Sequence, residues 1–263
     1  MSGAGRVLSL IAAISYALIL APIVVVVVMA FSADSFILFP PSGFSFRWFQ
    51  TLVANAPLMK ALGLSVQIAL VVTLLSLLVG VPAALALEKG EFRGREALRG
   101  FFLAPLLLPT LIIGLALLLF FTPLRLTATL PGIALGHMTV TVPFIIRMMS
   151  TAFATLPENV EAAAATLGAP PWRVVWRVTL PLAAPGLIAC AALSFLLSFD
   201  ETVISLFVSG PRASTLPVEM VRYVEGRTDP MIAALSVLLI AGTLAIVIVV
   251  ERLVGVRRAV GQS

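Results

Sequence analysis

The chain has 263 residues, 60% of them hydrophobic and only 11% charged, with a formal charge of +5 at neutral pH. All 29 charged residues fall outside six charge-free runs, a separation that excludes an ordinary water-soluble core. The cation surplus is a topology signal and gives no reason to invoke nucleic acid.

The six runs are 7–33, 61–87, 100–124, 126–146, 178–199 and 230–250, with lengths of 27, 27, 25, 21, 22 and 21 residues. A bilayer core takes roughly 20 apolar residues as helix, and helices alone bond their own backbone there. The composition therefore predicts an all-α membrane protein with six transmembrane helices. Run 7–33 follows Arg6 as in a secretory leader, but its 27 residues far exceed an apolar leader core of roughly 7–15. It reads as an uncleaved first span.

The loop 34–60 contains Phe44, Phe46, Trp48 and Phe49, residues suited to an interfacial aromatic belt. A short surface helix is predicted over 48–60. After the second run, EKGEFRGREALR at 88–99 mixes charge signs and is expected to cap its flanking helices. The third run leads through a tight connection, 122–131, with Pro123 and Pro131. The fourth holds His137 among Thr, Gly and Pro. A lone histidine in a span could relay protons or bind a ligand; packing or hydrogen bonding is the expected role. The fifth carries the one cysteine, Cys190, which can form no internal disulfide and reads as an apolar packing residue. The loop 200–229 has apolar stretches of its own, Val203 to Val208 and Val218 to Val224, enough to turn it back toward the membrane.

Orientation follows from Lys and Arg. With the N-terminus inside, the inner segments 1–6, 88–99, 147–177 and 251–263 carry eleven, including Arg6, Lys89, Arg99, Arg257 and Arg258. The outer segments are of similar total length and carry six. Both termini are thus expected in the cytoplasm. The organisation reads as a first helix and outer loop over 1–60, a core over 61–254 containing a structured inner loop at 150–181, and a tail over 255–263.

That inner loop is the most structured of the connections. Leu156, Val160, Ala163, Ala164 and Leu167 recur at helical spacing. Thr155 is placed as N-cap, with Pro157 and Glu158 in the first turn. Gly168 is placed as a left-handed C-cap, and Pro170 and Pro171 stop the helix. A second helix follows, with Trp172, Val175, Trp176 and Thr179 on one side and Arg173 and Arg177 on another.

At these residues the chain resembles the permease subunits of binding-protein-dependent ABC importers. The resemblance rests on Glu161-Ala162-Ala163, Gly168 and Leu180-Pro181 within GAPPWRVVWRVTLPLAAPG, and extends over about residues 45–250. It implies the type I importer permease fold in the inner membrane. It makes the inner loop, through Glu161, Ala162, Ala163, Leu167, Gly168, Leu180 and Pro181, the coupling element gripped by a cytoplasmic ATPase dimer. One departure stands out. Family members usually place an acidic residue six positions before the glycine, often with a second at seven; here position six is Ala162 and only position seven, Glu161, is acidic. One residue turns a helical side chain by roughly 100°, which counts against Glu161 as a salt-bridging contact to the partner.

The resemblance further implies a second permease subunit, a periplasmic or extracellular solute-binding protein, and ATP and Mg2+ used by the partner ATPase. This chain has no Gly-x-x-x-x-Gly-Lys-Ser/Thr loop and is expected to bind no cofactor or metal and to hold no catalytic residue. The stretch Ser198 to Pro230 and the aromatic FSFRWFQTL look most like permeases of the spermidine/putrescine type. Asp200 and Glu201, at the outer end of the fifth span, are candidates for a polycation path; capping a helix, or pairing with Arg212 or Arg222, is their structural alternative. Related permeases carry ferric iron, phosphonate or other small solutes. An ion-coupled secondary transporter would need ionisable groups at mid-depth, against which the charge-free spans speak, and an intramembrane hydrolase a nucleophile–histidine or metal cluster, against which one His, one Cys and no Gly-x-Ser-Gly speak.

Overall fold

A computed structural model describes residues 3–260, without the side chains of 3–6, 158 and 256–260. The expected roles of the Arg6, Glu158, Arg257 and Arg258 side chains therefore lie outside the described residues, as does the end of the tail. The described chain is helical, with only isolated bridges such as Ser32 to Phe44 outside the helices. In chain order come α1 (Gly3–Ala30), α2 (Arg47–Ala54), α3 (Ala56–Lys89), α4 (Arg95–Leu103), α5 (Thr110–Phe121) and α6 (Leu130–Ala154). There follow α7 (Glu158–Thr166), α8 (Pro171–Val174), α9 (Leu180–Leu182), α10 (Ala184–Phe199), α11 (Val203–Val208), α12 (Leu216–Gly226) and α13 (Met231–Val260).

Among the described residues, four helical stretches are long and apolar enough to cross a membrane: Val7–Ala30, Ala56–Lys89, Leu130–Ala154 and Met231–Gly255. The third and fifth predicted spans are not continuous helices. Arg95–Leu107 meets Thr110–Phe121 at 102°, and Pro171–Leu182 meets Ala184–Phe199 at 71°. Proline lies at both breaks, although Pro22, Pro82 and Pro143 sit inside unbroken helices. Leu108 is extended (φ −93°, ψ 141°) because a residue before proline is pushed out of the helical region, and Pro109 supplies no N–H. Pro181 and Pro185 flank the second bend, with Pro185 in the first turn of α10, where its missing donor costs nothing. With 12 residues, α5 is about 18 Å long, short of a hydrocarbon core of about 30 Å. If each bent pair is one span, the total is six.

The chain forms two compact units, residues 1–60 with 219–244 and residues 61–218 with 245–263. In the first unit, the predicted surface helix at 48–60 ends at Ala54, because Asn55 leaves the helical region (φ −80°, ψ 89°) and α3 then begins. The rings of Phe31, Phe46 and Phe49 cluster, and Phe44 and Phe46 are exposed. Trp48 departs from the expected aromatic belt: it is buried, with the Arg47 guanidinium 4.5 Å from its ring centre.

The second unit has two apolar clusters. In one, Ile204 and Val208 of α11 pack with Ile113 and Phe121 of α5, Ile133 and Val140 of α6, and Ile68 and Val72 of α3. Residues 203–208 thus turn back into the helical core, as their composition allows. In the other, Cys190 packs with Ala84, Leu87, Ile145, Met149 and Phe153, consistent with its reading as a core residue. The capping expected of 88–99 is present at the end of α3 alone: Arg99 donates to the Leu87 carbonyl (2.9 Å) and pairs with Glu88 (3.2 Å), and Arg95 donates to the Gly90 carbonyl (3.2 Å), whereas α4 starts after Gly94 with no side-chain cap.

The seat of α11 depends on a missing side chain. A Cβ at Gly114 would lie 2.5 Å from the Phe207 ring. Gly114→Leu is therefore expected to destabilise the detergent-solubilised protein by about 1–3 kcal/mol, as overpacking does. Thermal unfolding checks this, and an unchanged midpoint would show that α11 can shift away freely.

Candidate functional site

The inner loop folds as two short helices joined by a glycine-proline break, but its start differs from expectation. The helix α7 begins after Pro157, whose backbone is extended (φ −65°, ψ 117°). Thr155 is not the cap; its hydroxyl donates to the Ala152 carbonyl (2.9 Å) at the end of α6. Leu156 lies before the helix and packs against the second core cluster.

The end of α7 is as expected. Gly168 has φ +80°, its N–H donates to the Ala165 carbonyl (2.9 Å), and the Ala169 N–H donates to the Ala164 carbonyl (3.2 Å). This pair of bonds is the Schellman motif, and it satisfies carbonyls that the helix end would leave open. A Cβ at Gly168 would meet nothing within 4 Å. Beside it Leu167 is 88% exposed, and Ala162 and Ala163 are also exposed.

The second helix carries a π-helical turn, Val175–Thr179, between α8 and α9. The wider turn changes the register, so the predicted single face of Trp172, Val175, Trp176 and Thr179 is split. Trp172 and Trp176 are exposed, whereas Thr179 is buried. Arg173 lies over the Trp172 ring at 5.3 Å. Leu180 packs on the second core cluster and Pro181 is exposed.

Glu161 is held inside the chain. Its Oε2 accepts from Lys89 Nζ, the last residue of α3, at 2.5 Å, and its Oε1 accepts from the Thr179 hydroxyl at 2.8 Å. Both ends of the ion pair keep some contact with water, so the pair itself is worth under about 1 kcal/mol. The hydrogen bond from buried Thr179 to a charged carboxylate adds about 1.5–3 kcal/mol. Burial raises the carboxyl pKa, but the bonds from Lys89 and Thr179 outweigh it and hold the group below the usual 4.5. The stabilisation is complete above pH 4.5 and is lost only as pH falls through the lowered value. Lys89 and Thr179 carry no sequence signal for this role: Lys89 lies 72 positions from Glu161, and Thr179 reads as part of an apolar face.

At the far end of α10, the two acidic candidates differ. Asp200 is exposed, its N–H closing the helix on the Leu196 carbonyl (3.0 Å). Glu201 is 9% exposed, and its Oε1 accepts from the Ile204 N–H (3.0 Å), capping α11. Arg222 pairs with Glu219 (2.9 Å). Close in sequence, Ser198 and Ser205 bind His137 from both sides, at 3.0 Å on Nδ1 and 2.8 Å on Nε2. The network continues through the His137 carbonyl to Thr141 (3.1 Å) and on to Ser76 (2.7 Å). Both ring nitrogens are occupied within the chain, as a hydrogen-bonding structural histidine requires.

The family described as "Binding-protein-dependent transport system inner membrane component" matches residues 76–256. The putrescine transport system permease protein PotI of Escherichia coli (strain K12) is 34% identical over 86% of this chain and 83% of its own. The molybdenum transport system permease protein ModB of Mycobacterium bovis is 36% identical over 73% of this chain and 78% of its own. The crystal structure of a bacterial ABC transporter involved in import of the acidic polysaccharide alginate superposes with a TM-score of 0.71 at 17% identity, covering 96% of this chain and 98% of that one. That likeness speaks for the fold.

Proposed function

The chain belongs to the family of binding-protein-dependent transport system inner membrane components, and from that premise we propose that it is one of two permease subunits through which an ATP-driven importer passes a polyamine, such as putrescine or spermidine. As a family member it is a multi-pass inner-membrane permease, and ATP is hydrolysed by a separate subunit. The topology is six spans with both termini cytoplasmic, supported by the eleven-to-six Lys/Arg asymmetry and by counting each bent helix pair as one crossing. Residues 158–182 are then the cytoplasmic coupling segment. ATP binding closes the ATPase dimer, and the segment carries the spans between inward-open and outward-open states of a bistable assembly.

The observation that carries this reading is the exposed end of α7. Leu167 is almost wholly exposed at a capped, glycine-terminated helix end, and Trp172 and Trp176 on the next helix are exposed as well. Large apolar side chains grouped on a surface mark a protein-binding site. Leu167→Asp is expected to lower co-purification of the ATPase by about tenfold, the effect of losing a buried apolar anchor from an interface centre. Undiminished co-purification would overturn the coupling assignment.

The polyamine reading is supported by the likeness to PotI over most of both chains and by the two adjacent carboxylates, Asp200 and Glu201. A molybdenum-containing solute is the competing reading, favoured by the 36% identity to ModB over a shorter stretch. Uptake of labelled putrescine against labelled molybdate by the complete importer separates the two.

A further inference from the structure

We infer that Glu161 acts within this chain as a positioning residue, fixing the angle and reach of α7 through Lys89 and Thr179, and makes no contact with the ATPase. This rests on the reading of residues 158–182 as the coupling segment.

Packing alone does not set where α7 lies. The helix has only nine residues, and none of its described side chains is fully buried. Helices this short draw their order from tertiary contacts. Its ends are tied through Pro157 and through the Gly168 turn to Pro170, and Ala164 is its one other half-buried described side chain, a small apolar contact to set its rotation about the helix axis. Glu161 adds polar bonds on that same side. It sits on the half-buried side of α7, with both carboxylate oxygens engaged by two other elements. One partner, Lys89, ends the 34-residue α3. The other, Thr179, is buried and closes the π-turn that leads to the bend before α10.

The consequence is mechanical. A push on Leu167 moves α7 together with the ends of α3 and of the bent segment, instead of turning α7 in place. The one-residue offset of the acid also gains a physical meaning. Position 162, where the family usually places an acid, is exposed here, whereas position 161, where a second acid is often found, faces inward to Lys89 and Thr179. The side chain that a partner would meet is Ala162; the carboxylate is spent internally.

The test is a charge swap in the complete importer reconstituted in vesicles, reading solute uptake, uptake per ATP hydrolysed, and ATPase co-purification. Glu161→Lys and Lys89→Glu are each expected to lower uptake per ATP by about fivefold or more, the scale of a coupling loss. Combining them is expected to restore it to within about twofold, since the Thr179 hydroxyl can accept from the new lysine. Thr179→Val, which removes one of the two bonds, should lie between wild type and the single reversals. If a single reversal fails to insert, the combined variant must restore insertion as well as uptake. A combined variant no better than Glu161→Lys alone would overturn the inference and return Glu161 to the partner interface. Single reversals with wild-type uptake per ATP would also overturn it. Failure of the coupling reading is separate: it would show as Leu167→Asp retaining its ATPase, whatever the swap does.

Discussion

Gly168→Asp is expected to lower uptake by about a hundredfold, near the upper end of coupling losses, while the protein still inserts and unfolds close to its wild-type temperature. The two halves of that result have different causes. Within the chain, the added side chain meets open space, since a Cβ at this position has no neighbour within 4 Å. The φ of +80° costs a side chain about 1–2 kcal/mol, and Asp is among the residues that bear a left-handed conformation best. The Schellman bonds to Ala165 and Ala164 use backbone only and survive. On the proposed coupling, the same open space is where the ATPase would close over Leu167. A carboxylate there carries charge into an apolar contact and holds the surfaces apart. Uptake and ATPase stimulation by the solute-binding protein, with thermal unfolding as control, check both halves. Wild-type uptake would end the coupling assignment. A collapsed unfolding temperature would move the effect to the fold of the loop itself.

The contrast between the two ends of α7 shows what a single sequence discloses. Its C-terminus was legible because the signal is local: Gly168 followed by Pro170 and Pro171 leaves few alternatives to a left-handed turn and a stop. Its N-terminus was not, because Thr155 and Pro157 both suit a helix start, and the choice fell to where Leu156 could be buried. Span composition was legible in the same way, yet continuity was not. Charge-free runs report what lipid tolerates, whereas the breaks at Pro109 and near Pro181 depend on which backbone groups neighbouring helices can satisfy. The π-turn at 175–179 leaves no composition trace and reorients Thr179 away from Trp172 and Trp176. Long-range polar pairs such as Lys89 with Glu161, or His137 with Ser198 and Ser205, are invisible for a simpler reason. Nothing local to either partner names the other.

Replacing Asp200 by Asn together with Glu201 by Gln is expected to cut polyamine uptake by about fivefold or more, the lower bound of a lost electrostatic coupling, without reducing assembly with the ATPase. Both changes keep size and a carbonyl-type oxygen while removing negative charge. The geometry makes this a clean exchange at Glu201. Its Oε1 only accepts from the Ile204 N–H, a bond that a glutamine oxygen can also make, so α11 keeps its cap. Asp200 is exposed and contributes through its field. The two carboxylates differ in reach: Glu201 is 9% exposed, and a charge in such surroundings attracts a cation more strongly than one in open water. Glu201→Gln alone is therefore expected to account for more of the loss than Asp200→Asn alone. Uptake of labelled putrescine or spermidine by cells expressing the whole importer measures it, with ATPase co-purification as control. Uptake unchanged in the double variant would leave the pair as the closing residue of α10 and the cap of α11. Absence of polyamine uptake by the unaltered importer would shift the substrate to another small solute and leave the permease assignment in place.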